Sequence, residues 1–348
     1  MKTSFVSTIG FRQPVRQSIA DTQHQLVRAE QELASGRHFD VGLKLGHDAG
    51  RVLNTRHEID RLEALMQTNR TTSTHLETAQ FALTALAEGA EGFLSTLLAA
   101  RQGLSGDVAQ TAAQAALTTA QDLLNTSVNG SFVFGGINSG VAPMDSYLAD
   151  PPSVPKQQID TSFQSVFGIT QSDPAVAGIA AAQMQSFLDN EFAAEFELAN
   201  WSANWSQSSD HNVTSRITHL TVIETSVNAN DEAVRSLVQA YTMVAELGGD
   251  AMSQETFTVV ADAALAKLGE AMAGVTESQT KLGVAQSRVQ EANDRAELRK
   301  NILSGSLNDL EAVDPYEVSI RIAGLMAQLE TSFALTARLQ RLSLNDYL

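Results

Sequence analysis

The stretch VRQSIADTQHQLVRAEQEL, residues 15–33, decides the fold class of this chain. Its apolar and small positions recur at alternating intervals of four and three residues, which places them on one stripe of an α-helix. Gln, Asp and Arg side chains occupy the other sides of that helix. A stripe of this kind is buried against a partner helix, so the stretch predicts one helix of a coiled coil. The seam positions are Val15, Ile19, Thr22, Leu26, Ala29 and Leu33.

A matching helix is predicted at the other end of the chain. Asp314-Pro315-Tyr316-Glu317 is typical of a helix start, because Asp caps the first turn and Pro fits its first position. We expect the apolar face of this helix to be exposed or loosely held in the free chain. Assembly would bury it against the 15–33 helix and neighbouring copies. The seam on this face comprises Val318, Ile322, Leu325, Leu329 and Leu339.

Two longer helices are predicted between these ends, over about 49–104 and 254–307. Both carry heptad stripes, and the stripe of the first contains the polar residues Asn69, Ser73 and Gln80, which weaken the seam but fix its register. Stripes that lie so far apart in the sequence bury most simply against each other. The predicted fold is therefore mainly α, a long antiparallel coiled-coil bundle made from both terminal regions, with a small mixed α/β insert.

The pattern also predicts three domains. Residues 1–36 and 314–348 form a terminal coiled-coil domain. Residues 49–140 and 230–308 form a helical rod domain, with a short β-hairpin near 131–147. Residues 141–228 lack a sustained heptad and are predicted to form a separate outer insert.

Composition and charge exclude several functions. The chain of 348 residues has a formal net charge of −17, so it lacks the basic surface that nucleic acid or an anionic membrane requires. It contains no Cys, which excludes disulfides and thiolate chemistry. There is no uninterrupted run of about 18 apolar residues, so we expect no transmembrane helix. The first 18 residues lack the apolar core of a signal peptide, so we expect export, if any, without a cleaved signal.

No group of residues has the spacing of a catalytic, cofactor or metal site. His38, Asp40, His47 and Asp48 share one loop, but solvated loop residues are the favoured interpretation. Trp201 and Trp205 stand four residues apart and could present a binding platform on one helical face. The ordinary interpretation is that they form the small core of the insert. We therefore predict no enzyme activity, no cofactor and no metal.

Several motifs resemble those of a known family. The heptad helix at 15–33 is followed by ELASGRHFDVG at 32–42, in which LASGR is similar to the turn after the first helix of bacterial flagellin-type proteins. SFVFGGINS at 131–139 is similar to the Phe-Gly-Gly-x-Asn run of the junction type, the hook-associated protein 3 group. The chain thus resembles flagellin-type proteins, and most closely those that join the flagellar hook to the filament.

The resemblance implies a structural role and a set of partners. It implies a ring of identical copies between hook-side and filament-side flagellar proteins, with terminal helices innermost, rods in the middle and the insert outermost. It also implies type III export and a cytoplasmic export chaperone that holds the C-terminal segment. No cofactor, nucleic acid or membrane is implied. The alternatives are a flagellin filament subunit or, from a different class, a cytoplasmic coiled-coil signalling or chaperone-like protein.

Overall fold

The computed structural model describes residues 8–103 and 105–345, with side chains described over 13–103 and 105–338. Helices account for most of the described residues, as the heptad stripes predict. The helices are α1 (Thr8–Ser35), α2 (Val41–Leu45), α3 (Ala49–Arg101), α4 (Gly106–Leu124), α5 (Val154–Phe167), α6 (Ala181–Phe187), α7 (Leu198–Asn200), α8 (Glu232–Leu247), α9 (Gln254–Glu311) and α10 (Pro315–Asn345). Short π-helical turns follow α6 and α7, at Leu188–Phe192 and Trp201–Trp205.

The chain divides into two compact units. The terminal unit comprises Met1–Ala64 and Ala296–Leu348, and the central unit comprises Leu65–Arg295. The long helices α3 and α9 each contribute residues to both units. These boundaries differ from those of the three predicted domains.

The terminal unit is built from helices at both ends of the chain. Helix α1 packs against α10, and the start of α3 lies beside the end of α9. Glu58 of α3 and Arg299 of α9 form an ion pair at 3.0 Å. Helix α1 already includes Thr8 and continues through Pro14, so it begins before the stretch 15–33 that predicts it. Asp314 does cap α10, because its carboxylate accepts the Tyr316 N–H at 2.8 Å.

In the central unit, α3 and α9 lie antiparallel, and polar side chains fix their register. The Asn69 amide donates to Asn293 Oδ1 at 2.9 Å, the Gln80 amide donates to the Gln279 carbonyl at 3.3 Å, and Arg101 pairs with Asp262. The seam predicted on α9 is buried at every position within this unit: Leu268, Ala271, Val275, Ser278, Leu282, Ala285, Val289 and Ala292. The predicted pairing of the two long stripes is confirmed. Leu104, the last position of the α3 stripe, lies outside the described residues.

Helix α4 packs against α8. Hydrogen bonds from two aspartate carboxylates to backbone N–H groups connect the start of α4 to the turn after α8. The sequence predicts that Asp107 caps α4. Instead the carboxylate of Asp250 accepts the Gly106 and Asp107 N–H groups, while the carboxylate of Asp107 accepts the Asp250 N–H at 2.9 Å. The cap comes from a residue far along the chain, which local spacing cannot reveal.

Residues 141–228 are mixed in structure, as predicted, but they are not a separate core. Their buried Phe and Trp side chains belong to the same hydrophobic cluster as those of α3, α4, α8 and α9. The strands are short and antiparallel: β1 (Ser127–Val128) with β2 (Ser131–Phe132), and β3 (Thr214–Arg216) with β4 (Val222–Glu224). The first hairpin therefore begins four residues before the predicted range of 131–147, and only β2 lies within that range.

One helical stretch, Val41–Arg101, is long and apolar enough to cross a membrane by length and composition alone. About a third of its most apolar 18-residue window is buried in the structure. Helices of a protein's own core pass the same test, and Leu86, Phe93 and Leu97 of α3 are buried in the central unit. The sequence predicts no transmembrane helix because no uninterrupted run of apolar residues is long enough. The average hydropathy of this stretch nevertheless passes the length and composition test.

Candidate assembly interface

The predicted seam residues meet inside a single chain. Val318, Leu325 and Ala29 are buried together with Val313, and Leu26 and Ile322 pack half-buried against them. Leu329 is 9% exposed, and Val15 and Ile19 are half-buried on α1. The cluster joins α1 to α10 by apolar contact, as the two stripes predict. The side chain of Leu339 lies outside the described residues.

Two expectations about this seam need correction. The face with Leu325 is expected to be exposed or loosely held in a single chain, but α1 already covers it, and Leu325 is only 9% exposed. Leu33 lies at the end of α1 and is 41% exposed, because the chain leaves the helix two residues later. The α1–α10 seam is thus already formed within a single chain.

The outward side of α10 is also apolar. Tyr316 is 75% exposed and Ile320, one turn later, is 58% exposed. Both lie away from the buried stripe, and Ala323, Gly324 and Ala327 continue the same uncharged side. A helix that is apolar on more than one side is normally buried on more than one side. Among the α10 side chains that the structure describes, up to Arg338, the exposed large apolar residues on all sides of the helix are Tyr316, Ile320, Met326, Phe333 and Leu335.

The turn after α1 holds α10 in register. Gly36 has φ +70°, a left-handed conformation that glycine adopts readily at a helix end. Glu32 accepts the Phe39 N–H at 3.0 Å and pairs with Arg321 of α10 at 3.0 Å. One carboxylate therefore fixes both the turn and the α10 partner. This is the structural role of the ELASGR segment.

A buried carboxylate completes this junction. The Glu311 side chain is 0% exposed, and it pairs with Arg56 at 2.6 Å and Arg37 at 3.4 Å. Backbone bonds flank it, since the His38 N–H donates to the Glu311 carbonyl at 2.9 Å and the Val313 N–H to the Gly36 carbonyl at 3.1 Å. Glu311 and Arg56 were not predicted from the sequence, because no local motif links residues that lie 255 positions apart. Arg37 lies in the LASGR motif, which was the available signal.

The SFVFGGINS motif also acts through packing. A Cβ at Gly136, which has φ +60°, would lie 2.6 Å from the His211 carbonyl oxygen, and one at Gly135 would lie 2.9 Å from that of Asn138. The Phe134 carbonyl accepts the Ala229 N–H at 2.9 Å. Gly136 therefore lets the backbone of Ser209 and His211 approach closely, and Gly135 lets its own turn fold back on Asn138. Only glycine fits these two positions without displacing backbone.

Trp201 and Trp205 are core residues. Their rings stack at 5.4 Å between centroids, and Tyr147 stacks on Trp205 at 5.2 Å. The indole N–H of Trp201 donates to Asn230 Oδ1 at 3.1 Å. Both Trp residues are buried, so the ordinary interpretation holds and they offer no exposed platform.

The loop histidines and aspartates do not form a metal site. Asp40 caps α2, accepting the Leu43 N–H at 2.8 Å, and His47 is exposed beside Asp48 at 3.5 Å. Within residues 8–103 and 105–345, no group of three or more His, Asp or Glu side chains is arranged to hold a metal ion.

Comparison with protein families identifies both ends of the chain. Residues 6–139 match the bacterial flagellin N-terminal helical region, and residues 265–348 match the bacterial flagellin C-terminal helical region. Together the two matches cover more than half of the chain. This protein belongs to the bacterial flagellin family. It is accordingly a structural, non-enzymatic protein of the extracellular flagellum that self-assembles and associates with other flagellar components.

A solved structure shares the fold. It is that of a flagellar hook-associated protein from Vibrio parahaemolyticus, with a TM-score of 0.51 and 11% sequence identity. The similarity covers 76% of this chain and 97% of the Vibrio chain. At this identity the likeness concerns the fold alone. The comparison with curated protein sequences found no match.

Proposed function

We propose that this flagellin-family protein is a hook-associated junction protein, which connects hook to filament through helix–helix contacts between identical copies. The observation that carries the proposal is the outward face of α10, which is apolar in a chain whose inward face is already paired with α1. Burying apolar surface stabilises association by about 25 cal/mol per Å². A ring of copies would cover this face.

Two features favour the junction role over that of the filament subunit. The SFVFGGINS run resembles the junction type. The fold also extends over nearly the whole of a chain described as hook-associated, with 97% of that chain covered. Both features concern the type of flagellin-family protein, and neither identifies the proteins that it binds. The partners proposed here are hook-side and filament-side flagellar proteins, in addition to the neighbouring copies.

The domain arrangement of the family is proposed for this chain as well. The terminal coiled-coil domain of residues 1–36 and 314–348 would lie innermost, and the rods at 49–140 and 230–308 would follow. Residues 141–228 would lie outermost. The assembly seam is proposed to include Val15, Ile19, Leu26, Leu33, Val318, Ile322, Leu325, Leu329 and Leu339.

Export without a cleaved signal peptide is part of the proposal. A C-terminal helix that is apolar on two sides is an aggregation hazard before assembly, because neither α1 nor a neighbouring copy covers it while the chain is unfolded. A cytoplasmic export chaperone on the C-terminal segment would cover it. Such a chaperone is expected to bind the unfolded segment and to be released at export.

The test compares two aspartate substitutions on one helix. Ile320→Asp places a carboxylate on the outward face, where it stays solvated in the monomer, so we expect normal melting and circular dichroism but no joining of hook to filament. Cells would then release filament subunits into the medium. Leu325→Asp places the carboxylate in the intramolecular seam and should destabilise the monomer itself.

Recovery of the unmodified protein from sheared flagella separates the remaining alternatives. A small amount relative to the filament supports the junction role, whereas bulk abundance identifies a filament subunit. Normal filaments in cells that carry only the Ile320→Asp variant would contradict the proposal. The matched control is Gln328→Ala, an exposed polar position of α10 that lies neither on the buried stripe nor on the side of Tyr316 and Ile320, and it should be silent.

A further inference from the structure

The central unit has an apolar groove that no part of the described chain fills. It lies between α3 and α4, has a volume of about 330 Å³, and its floor includes Phe93 and Tyr241. The walls are small and uncharged. They are formed mainly by Ala85, Gly89, Gly92 and Thr96 on α3 and by Ala112, Ala115, Ala116 and Thr119 on α4.

The floor of this groove carries an unpartnered hydrogen-bond donor. The Tyr241 side chain is 99% buried, since the residue is only 1% exposed, and among the described residues its hydroxyl has no hydrogen-bond partner. A Cβ placed on Gly89 would lie 4.0 Å from that hydroxyl, so the hydroxyl points at the groove wall where a side chain is missing. Burial raises the pKa of Tyr241, which keeps the hydroxyl protonated and therefore a donor. The hydroxyl opens onto the groove, where it can donate to an acceptor that enters the groove.

A protruding apolar tip is present elsewhere in the same unit. Leu220 lies in the turn between β3 and β4 and is 87% exposed, more than any other large apolar side chain described. The turn is rigid, because the Thr218 hydroxyl accepts the Leu220 and Thr221 N–H groups at 3.3 and 3.0 Å. Arg216 donates to the His219 carbonyl at 3.0 Å and remains exposed at this tip. A tip that is already ordered loses little conformational entropy on binding.

The tip and the groove of one chain cannot reach each other. The buried amide of Asn69 donates to the Ile217 carbonyl at 3.1 Å, which anchors the hairpin to α3 at that point. Gly89 is 20 residues further along the same helix, or about 30 Å at 1.5 Å per residue. Contact between tip and groove therefore requires two copies.

We propose that the β3–β4 tip of one copy, with Leu220 as its apolar knob, docks into the α3–α4 groove of a neighbouring copy. Backbone carbonyls at the tip would accept the Tyr241 O–H. Exposed Glu88 and Asp122 stand beside the groove residues Gly89 and Leu123, where they face the positive charge of Arg216. In a chain of net charge −17, copies approach best where an uncharged groove with acidic edges meets a basic tip.

The proposed contact is heterologous, because the tip and the groove are different surfaces. Repeated head-to-tail contacts of this kind close into rings or continue as filaments. The inference rests on the proposed self-assembly and adds a specific pairing to it. It also predicts that neighbouring copies are offset by about 30 Å along α3.

Disulfide cross-linking tests the pairing directly, because the chain contains no Cys. Leu220→Cys and Thr119→Cys are combined in one chain, and flagella and concentrated purified protein are oxidised. We expect intermolecular ladders of this chain alone. The matched control replaces Thr119→Cys with Thr118→Cys, since both threonines are exposed on α4 and back-bond to the carbonyl four residues earlier at 2.9 Å, but only Thr119 lines the groove.

Three results would overturn the pairing. They are equal ladders from the Thr118 and Thr119 pairs, dimers formed by Leu220→Cys alone, and no ladder in either preparation. Leu220→Asp should lower recovery of the protein in flagella at least about tenfold, while Leu198→Asp, on an apolar side chain that is 43% exposed elsewhere in the unit, should leave it unchanged.

A further Cys variant separates failure of the pairing from failure of the proposed function. Ile320→Cys should react with a maleimide in the monomer and be protected in flagella. Protection at Ile320 without a Leu220–Thr119 ladder leaves self-assembly through α10 intact and removes only the tip-to-groove contact. Loss of protection at Ile320 contradicts the proposed function, while a ladder in purified protein would still support the contact.

Discussion

The two compact units bury their side chains in different ways. The central unit contains every one of the largest fully buried side chains described, including Trp201, Tyr147 and Phe163. In the terminal unit the aromatic side chains that the structure describes, Phe39, Tyr316 and Phe333, are all at least half exposed. The central unit therefore forms a large aromatic core within one chain, whereas the terminal unit has only a thin apolar seam and leaves its aromatic side chains for neighbours to cover.

The same difference appears in their polar contacts. The central unit uses buried amides such as Asn69 to fix register between packed helices. The terminal unit uses charge, with Glu311 between Arg37 and Arg56, because its thin apolar seam does not specify register by itself. An assembly protein benefits from a stable centre and from ends that bind other copies.

The largest expected effect is on the central unit. Trp201→Ala removes a fully buried ring that stacks on Trp205, and we expect it to lower the free energy of unfolding by about 3–5 kcal/mol. Urea unfolding followed by circular dichroism measures this. Leu198→Ala, a nearby exposed position, is the control and should change stability by less than about 0.5 kcal/mol. Comparable losses in the two variants would show that the aromatic cluster is not the centre of this unit.

A smaller loss is expected at the terminal seam. Leu325→Ala removes a buried side chain from a cluster of few members, so we expect a cost near the lower end of the range for Leu→Ala, about 2 kcal/mol. Hydrogen exchange resolved by segment should show the loss in α1 and α10 only. Loss of protection in α8 as well would show that the two units unfold as one.

The buried carboxylate should contribute less again. Glu311→Gln keeps the shape of the side chain but removes the charge that Arg37 and Arg56 share. Because both arginines are about half exposed, water compensates them, and we expect a cost of about 1 kcal/mol. Thermal melting at low and high salt measures it. The difference in stability between the wild type and Glu311→Gln should shrink with added salt. A difference that does not depend on salt would argue against an electrostatic role.

The smallest effect on the free chain is expected at the outward face of α10. Ile320→Asp should change the free energy of unfolding of the monomer by no more than about 0.5 kcal/mol, because the side chain is 58% exposed. Thermal melting of the purified monomer measures this. The effect of the substitution on assembly should nevertheless be complete. A large loss of monomer stability would show that Ile320 packs within the chain.

The sequence predicted those parts of the fold that depend on local periodicity. The α9 stripe from Leu268 to Ala292 is buried as its spacing indicates, and Asp314 caps α10. Contacts between distant residues were not predictable. The cap of α4 comes from Asp250, and the ion pair of Glu311 depends on Arg56, which is 255 residues away.

The α10 seam packs on the 15–33 helix, which is one of its two predicted partners, but it does so within a single chain and not only on assembly. The heptad marks the face of α10 that must be buried, yet a stripe cannot state whether the covering helix belongs to the same chain. Here α1 of the same chain covers Leu325. The outward face with Tyr316 and Ile320 has no heptad of large residues, since Ala323, Gly324 and Ala327 interrupt it. Its role becomes visible only once the inward face is known to be occupied.

The proposed function requires the outward face of α10 to be free in the monomer and covered in the flagellum. Ile320→Cys and Leu325→Cys, each the only Cys in its chain, are labelled with a maleimide in purified monomer and in intact flagella. We predict fast labelling of Ile320→Cys in the monomer, strong protection of the same position in flagella, and slow labelling of Leu325→Cys in both. Equal labelling of Ile320→Cys in monomer and flagella would contradict the account.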